Sequence, residues 1–179
     1  ARGLEVVETR EPGGSEGAEA IRAMLLTGGA DRWNARAEAL LFAAARADHI
    51  EKTIRPALAR GAWVLSDRFL DSSRAYQGQG DLTDADILAL HQIGSAGFLP
   101  DRTLFLTLPE TEAEARAHAR DGDVSDRIGG RDRAFHRAVA DAFVRFAADE
   151  PARVRAIDAS GAADDVTARL LAALDDLLP

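Results

Sequence analysis

The stretch Gly61-Ala-Trp-Val-Leu-Ser-Asp-Arg68 decides the fold. Residues 62–66 form a compact apolar run that follows a helix-ending glycine and stops on an acidic and a basic residue. Such a run reads as a compact apolar strand. Upstream, residues 35–60 read as one long helical segment with Leu40, Leu41, Ala44 and Ile50 on its apolar side. Pro56 either kinks that segment or starts a second helix at its end. Before it, residues 4–9 form a Val-rich strand stopped by Glu11-Pro-Gly-Gly14, a strong turn signal, and Ser15 caps a helix over 18–26. Ala1-Arg2-Gly3 reads as the end of a helix with Gly3 as its cap.

Downstream the alternation continues. A helix is expected around residues 71–77, then a break at 78–80, a helix from the cap Thr83 to about Ser95, and a strand over 102–108. Pro109-Glu110 opens a helix ending near Arg120, residues 121–130 make a polar loop, and 132–148 form a helix with Phe135, Val139, Phe143 and Phe146 on one stripe. A last strand over 153–158 and an amphipathic helix over 162–178 close the chain. Strands alternating with helices predict an α/β fold, a parallel sheet with helices on both faces and right-handed crossovers. Without repeats, low-complexity tracts or linkers, residues 1–179 read as one domain. Ligands of such sheets bind at the carboxyl ends of the strands. That rule selects the loops 10–14 and 67–80, the loop after Leu108, and 158–161.

Composition narrows the function. Of 179 residues, 46% are hydrophobic and 29% charged, which suits a folded globular chain. The net charge of −8 disfavours a broad nucleic-acid coat, which needs phosphate-neutralising cations. Without cysteine there is no disulfide scaffold, thiol nucleophile or Cys-ligated zinc. The four histidines, His49, His91, His118 and His136, show no metal spacing, and no G-x-S-x-G elbow exists. The longest apolar run, residues 39–45, is far short of the ~18 residues of a membrane span. A cytoplasmic location is expected. Lys52 is the only lysine, and the other basic residues are arginines.

Four constellations could carry chemistry. Asp67-Arg68 ends a strand: its carboxylate can hold a metal or a metal's water, and its guanidinium can clamp a phosphate in a fork. A surface ion pair is the plain alternative. Phe42 and Arg46 are four apart on one helix face, a plane to stack on a nucleobase and a donor to bond it, or else a core ring and a solvated arginine. Ser72-Ser-Arg-Ala-Tyr-Gln-Gly78 is dense in groups that orient a polar ligand, or that cap a surface turn. Arg116, Arg120, Arg127, Arg131, Arg133 and Arg137 gather around a glycine-bearing loop, as a phosphate-closing lid requires or as a solvated mixed-charge loop allows.

Together these segments resemble the bacterial thymidylate kinases. The strings are Thr9-Arg-Glu-Pro-Gly-Gly14, Leu41-Phe-Ala-Ala-Ala-Arg46, Asp67-Arg-Phe69 with Ser72-Ser73 and Ala75-Tyr-Gln-Gly78, Asp126-Arg-Ile128 and Ile157-Asp-Ala-Ser160, in the family's order and spacing. The resemblance implies a P-loop NTPase-like three-layer fold that transfers the γ-phosphoryl of ATP to dTMP, with Mg²⁺. It implies that Phe42 stacks on thymine, Arg46 bonds its carbonyl, Ser73 and Gln77 lie along the base and Tyr76 near the sugar. By the same resemblance Arg68, with Arg10 close by, would hold the dTMP phosphate, and Glu11 and Pro12 would shape the acceptor pocket. Asp67 would organise Mg²⁺ through water. Arg127, with Arg116 or Arg120, would be the lid arginine in a lid region of about 116–137, and Asp158, Ala159 and Ser160 would border adenine. A homodimer built on the long helix is implied as well.

The departures from the family are a missing G-x-x-x-x-G-K-[ST] string, Gly129 where glutamate is frequent, and Thr107 where an acidic residue is common. The central first strand, P-loop and first helix, a unit of about 30 residues, are expected ahead of Ala1. If the chain truly starts at Ala1, the alternative is a non-catalytic nucleotide-binding module. A related monophosphate kinase is a further alternative.

Overall fold

The computed structural model describes residues 3–29, 31–121 and 127–178. Ala1 and Arg2, the expected helix end, lie outside the described residues. The chain divides into two compact units: Ala1–Leu99 with Asp126–Arg131, and Pro100–Ser125 with Asp132–Pro179. Each holds a pair of parallel strands flanked by helices in the sequence.

In the first unit β1 (Val6–Arg10) pairs with β2 (Trp63–Asp67), Val6 opposite Trp63 and Arg10 opposite Asp67. The register brings the two carboxyl ends side by side, and the Glu11 amide donates to the Asp67 carbonyl at 2.9 Å. Helix α1 (Glu16–Leu26) starts where the Ser15 hydroxyl accepts the Ala18 amide. The long segment is three pieces: α2 (Ala35–His49), a π-helical turn Ile50–Ile54, and α3 (Arg55–Ala59). Pro56 has no N–H to give the carbonyl four residues back, and the Arg55 amide reaches Ile50, five back. The proline thus widens the helix before starting a new one. Helices α4 (Leu70–Gln77) and α5 (Asp84–Ser95) follow, α5 opened by a reciprocal cap between Thr83 and Asp86. Ala39, Leu70, Leu82 and Ile87 make a core, with Phe69 and Leu90 packed against it.

His91 on α5 is buried, and its Nε2 donates to the Phe98 carbonyl at 2.7 Å. Its Nδ1 meets no partner among the described residues. Burial holds this imidazole below its ordinary value of 6.5, against the pull of the Phe98 carbonyl. The unfolded chain therefore binds this proton first as pH falls, and stability declines below about 6.5. Urea melts at pH 7.5 and 5.5 are expected to show a larger acid loss in the wild type than in His91→Gln, and equal losses would refute the assignment.

In the second unit β3 (Thr103–Thr107) pairs with β4 (Val154–Asp158), Thr107 opposite Asp158. Its helices are α6 (Glu110–Asp121), α7 (Arg133–Asp149) and α8 (Ala163–Ala172). The Phe stripe of α7 faces the strands: Phe143 stacks on Phe105 at 4.7 Å, and Val139 and Phe146 are buried. The closing helix is shorter than its apolar period predicts. Arg155 and Arg102 donate to the Ala173 carbonyl at 2.9 and 3.4 Å and both grip Asp176, so the chain turns there. No helix among the described residues is long and apolar enough to cross a membrane.

Candidate active site

The site grows from the paired ends of β1 and β2. Arg68 leaves β2 with φ at +70°, a conformation that costs a non-glycine residue energy and is commonest where function demands it. This backbone turns its exposed guanidinium over the Tyr76 ring, 5.1 Å from the centroid. No carboxylate pairs with it among the described residues, which leaves a fork of donors open to an anion. Arg10, opposite Asp67, donates instead to Glu19 at 3.2 Å. Glu19 also accepts the Gly14 amide, and that bond, with the Arg10 charge, holds its carboxyl below the usual range.

The turn 10–14 is pinned from several sides. Arg22 donates to the Pro12 carbonyl at 2.7 Å, and the Thr53 hydroxyl donates to the Gly14 carbonyl at 2.6 Å. Glu11 and Pro12 are buried and joined by a cis peptide. Gly14 has φ at +85°, and a Cβ there would collide with the His49 ring and the Thr9 hydroxyl. Only glycine meets both demands.

Behind the turn runs a buried polar chain. Arg46 Nε donates to Glu11 Oε2 at 2.8 Å, and Arg46 Nη2 donates to Ser73 Oγ at 2.6 Å. The other Glu11 oxygen meets His49 Nδ1 at 3.1 Å, and His49 Nε2 meets the Thr9 hydroxyl at 2.7 Å. A carboxylate only accepts, so Nδ1 carries the proton facing it. Arg46 also lies over the Phe69 ring, 5.5 Å from the centroid. Its guanidinium is thus fixed from three directions while buried to 3% exposure.

Helices α2 and α4 carry matching ladders. Glu38, Phe42 and Arg46 repeat every four residues on α2, as Ser73 and Gln77 do on α4. Arg46 bonds Ser73, and Gln77 Nε2 donates to Glu38 Oε1 at 3.0 Å. Half-buried Phe42 lies between the two rungs along α2. The arrangement offers a ring plane edged by a fixed guanidinium, a hydroxyl and an amide, which suits a flat polar heterocycle. Arg74, in the same string, is structural: it forks onto Asp84 at 2.8 and 2.9 Å and reaches Asp71 at 3.1 Å, tying α4 to the start of α5.

The expected lid residues are divided. Arg116 pairs with Glu112 at 2.6 Å and, with Leu106, Ala159, Gly161, Val166 and Thr167, lines an open depression of about 490 Å³. There the Ala159 amide donates to the Thr107 carbonyl. Asp158 accepts the Ser160 hydroxyl and amide at 2.7 and 2.9 Å, which lowers its carboxyl below the usual range. The Arg120 side chain lies outside the described residues. Arg127 belongs to the first unit, where it is buried, donates to the Leu25 carbonyl at 2.8 Å and pairs with Glu38. Arg131 adds bonds to both Glu38 oxygens at 2.9 Å.

Asp67, at the carboxyl end of β2, is the candidate holder of a cation. Among the described residues no group of three acidic or histidine side chains converges, so no protein cage is present there. Asp67 offers a single exposed carboxylate. That donor set fits Mg²⁺, which keeps its waters and is held mainly by substrate phosphates. Lys52 sits in the π-helical turn and pairs with Asp48 at 2.6 Å.

Three structural contributors escaped sequence reading: His49, Glu38 and Glu19. The first two lie on the Phe42–Arg46 face, three residues after Arg46 and four before Phe42, so the helical period held a signal for both. Glu19 had none beyond its place in the first helix.

The parallel strands with their flanking helices make this an α/β protein, and its likeness to a solved kinase structure puts it in the P-loop NTPase class. A crystal structure of a thymidylate kinase from Ehrlichia chaffeensis is similar, with a TM-score of 0.70 and 28% identity over 96% of this chain and 80% of that one. The sequence profile described as Thymidylate kinase matches residues 1–170. A thymidylate kinase of Rhizorhabdus wittichii is 65% identical over all of this chain and 86% of its own length. One of Caulobacter vibrioides is 49% identical over 95% of this chain and 81% of its own length. The chain belongs to the thymidylate kinase family, whose members are phosphotransferases.

Proposed function

We propose that this protein transfers the γ-phosphoryl of ATP to dTMP, giving dTDP and ADP. The observation that carries the reading is the α2–α4 face, where Phe42 stands between the Arg46–Ser73 and Gln77–Glu38 rungs. On it Phe42 stacks on thymine, Arg46 donates to a base carbonyl, and Ser73 and Gln77 line the base edge. Tyr76 lies near the sugar. Arg68 clamps the dTMP phosphate, with Arg10 beside it once released from Glu19, and the pinned turn carrying Glu11 and Pro12 shapes the acceptor pocket. Asp158, Ala159 and Ser160 border the adenine.

The acceptor is a phosphate oxygen, already anionic, so the reaction asks for positioning and charge neutralisation more than for a strong base. Asp67 would hold Mg²⁺ through water, and the ion would neutralise charge on the donor phosphates. Arg127, with Arg116 or Arg120, supplies lid charge to the transferred group; to do so Arg127 leaves Glu38, which stays bonded through both oxygens to Arg131. We read residues 1–179 as one kinase domain with its lid over about 116–137, working in the cytoplasm as a homodimer through the long helix, whose Leu40 is exposed.

A coupled ADP-release assay on the full-length protein tests the reaction. The kcat/KM for dTMP is expected to exceed those for dUMP and dCMP by at least about tenfold. Equal rates with all three sink the thymidine assignment.

A further inference from the structure

Two polar groups on the α2–α4 face remain unbonded among the described residues. Arg46 spends Nε on Glu11 and Nη2 on Ser73, leaving Nη1. Gln77 spends Nε2 on Glu38, leaving Oε1. One is a donor and the other an acceptor, and they sit on either side of Phe42 along the helix pair.

We propose that Glu38 is a positioning residue that fixes which end of the Gln77 amide faces the base, so that the site reads a pyrimidine with N3–H and a 4-carbonyl and rejects one with an N3 acceptor and a 4-amino group. This rests on the reading of the α2–α4 face as the nucleobase site. A glutamine amide has nearly the same shape either way round but opposite hydrogen-bonding ends. Glu38 removes the ambiguity. Its carboxylate is buried to 2% exposure and gripped by Arg127 and Arg131, so it offers acceptors only. The amide therefore turns its NH₂ to Glu38 and keeps its carbonyl free to accept from a ligand. Arg46 can only donate. Thymine matches this pair, since its N3–H donates and its O4 accepts. Cytosine opposes it twice, since its N3 accepts and its 4-amino group donates. Buried, mismatched polar groups discriminate far more strongly than a change in shape.

The substitution E38Q tests the idea in the full-length protein. The acceptor-only group at position 38 is gone, because the amide now there turns its carbonyl to Arg127 and Arg131 and its NH₂ to position 77. The Gln77 amide then rotates and presents NH₂ to the base. The preference for dTMP over dCMP in kcat/KM is expected to shrink at least about tenfold, through a raised KM for dTMP with KM for ATP held. If kcat/KM falls equally for dTMP and dCMP, Glu38 is only structural and the proposal is overturned. The exchange variant E38Q/Q77E keeps the cluster's charge and reverses the pair. The carboxylate now at position 77 accepts from the amide at position 38 and again shows the base an acceptor. This variant is expected to restore the preference to within about threefold of wild type, and it decides the matter alone if E38Q does not fold. A restored protein that stays indifferent to the base overturns the proposal. A wild type that turns over no dTMP fails the functional reading instead.

Discussion

Glu11→Ala is expected to cost about 3–5 kcal/mol of unfolding free energy, because it removes one partner of a buried ionic cluster and leaves the others uncompensated. Glu11 is buried between the Arg46 guanidinium and the His49 ring, which are themselves 3% and 0% exposed. Neither can turn to water without breaking the core around it. The loss is a large share of the 5–15 kcal/mol that holds a typical domain together, and corresponds to a fall in Tm on the order of 10 °C. Arg46 keeps Ser73 and the Phe69 ring but loses the bond that sets its angle, so KM for dTMP rises as well. Glu11→Gln keeps an acceptor for Arg46 and is expected to lose much less. Calorimetry on the two variants checks the ordering; a loss below about 1 kcal/mol for Glu11→Ala would show that the cluster relaxes freely.

Arg68→Ala is expected to act in the opposite way, leaving the fold and removing the reaction. The guanidinium is exposed and its one ring contact, with Tyr76, is open to solvent exchange, so the urea midpoint should move by no more than about 0.5 kcal/mol equivalent. Turnover, in contrast, should fall by about 10²-fold or more, the effect of losing a few kcal/mol of phosphate positioning. Arg68→Lys restores the charge without the planar fork and should recover only part of the rate. Steady-state kinetics of the full-length variants separate these outcomes, and near-normal turnover in Arg68→Ala would remove Arg68 from the phosphate site.

The contrast between these two residues shows what the sequence could and could not display. Local features were legible. The Thr83 cap, the Ser15 cap, the strand before Asp67-Arg68 and the break at Pro56 each follow from chemistry within a few residues, and the structure places all four near their expected positions. The end of α8 was not legible, because guanidiniums from β4 and from the start of β3 decide it. The widening into a π-helical turn is a consequence of Pro56, yet only the backbone shows that the Arg55 amide reaches five residues back. In the site, the four-residue period revealed Phe42 and Arg46. The same period ran through Glu38, but its partners Gln77 and Arg127 are 39 and 89 residues away. His49 shows no metal spacing, and the spacing of histidines says nothing of its actual partners. Glu11 on one ring nitrogen is 38 residues away and Thr9 on the other is 40, and nothing local joins them to it.

The Glu38 hub has a kinetic meaning of its own. Its bonds to Gln77, Arg127 and Arg131 close loops of 39, 89 and 93 residues. Each closure surrenders chain entropy before any contact repays it, and helices with local contacts form sooner. The hub is therefore expected to come together late, after α2 and α4 have their shape. The orientation of the amide beside the base is then a property of the finished molecule: a chain folded everywhere except at residues 127–131 would still hold its helices, but not its sharp choice between two pyrimidines.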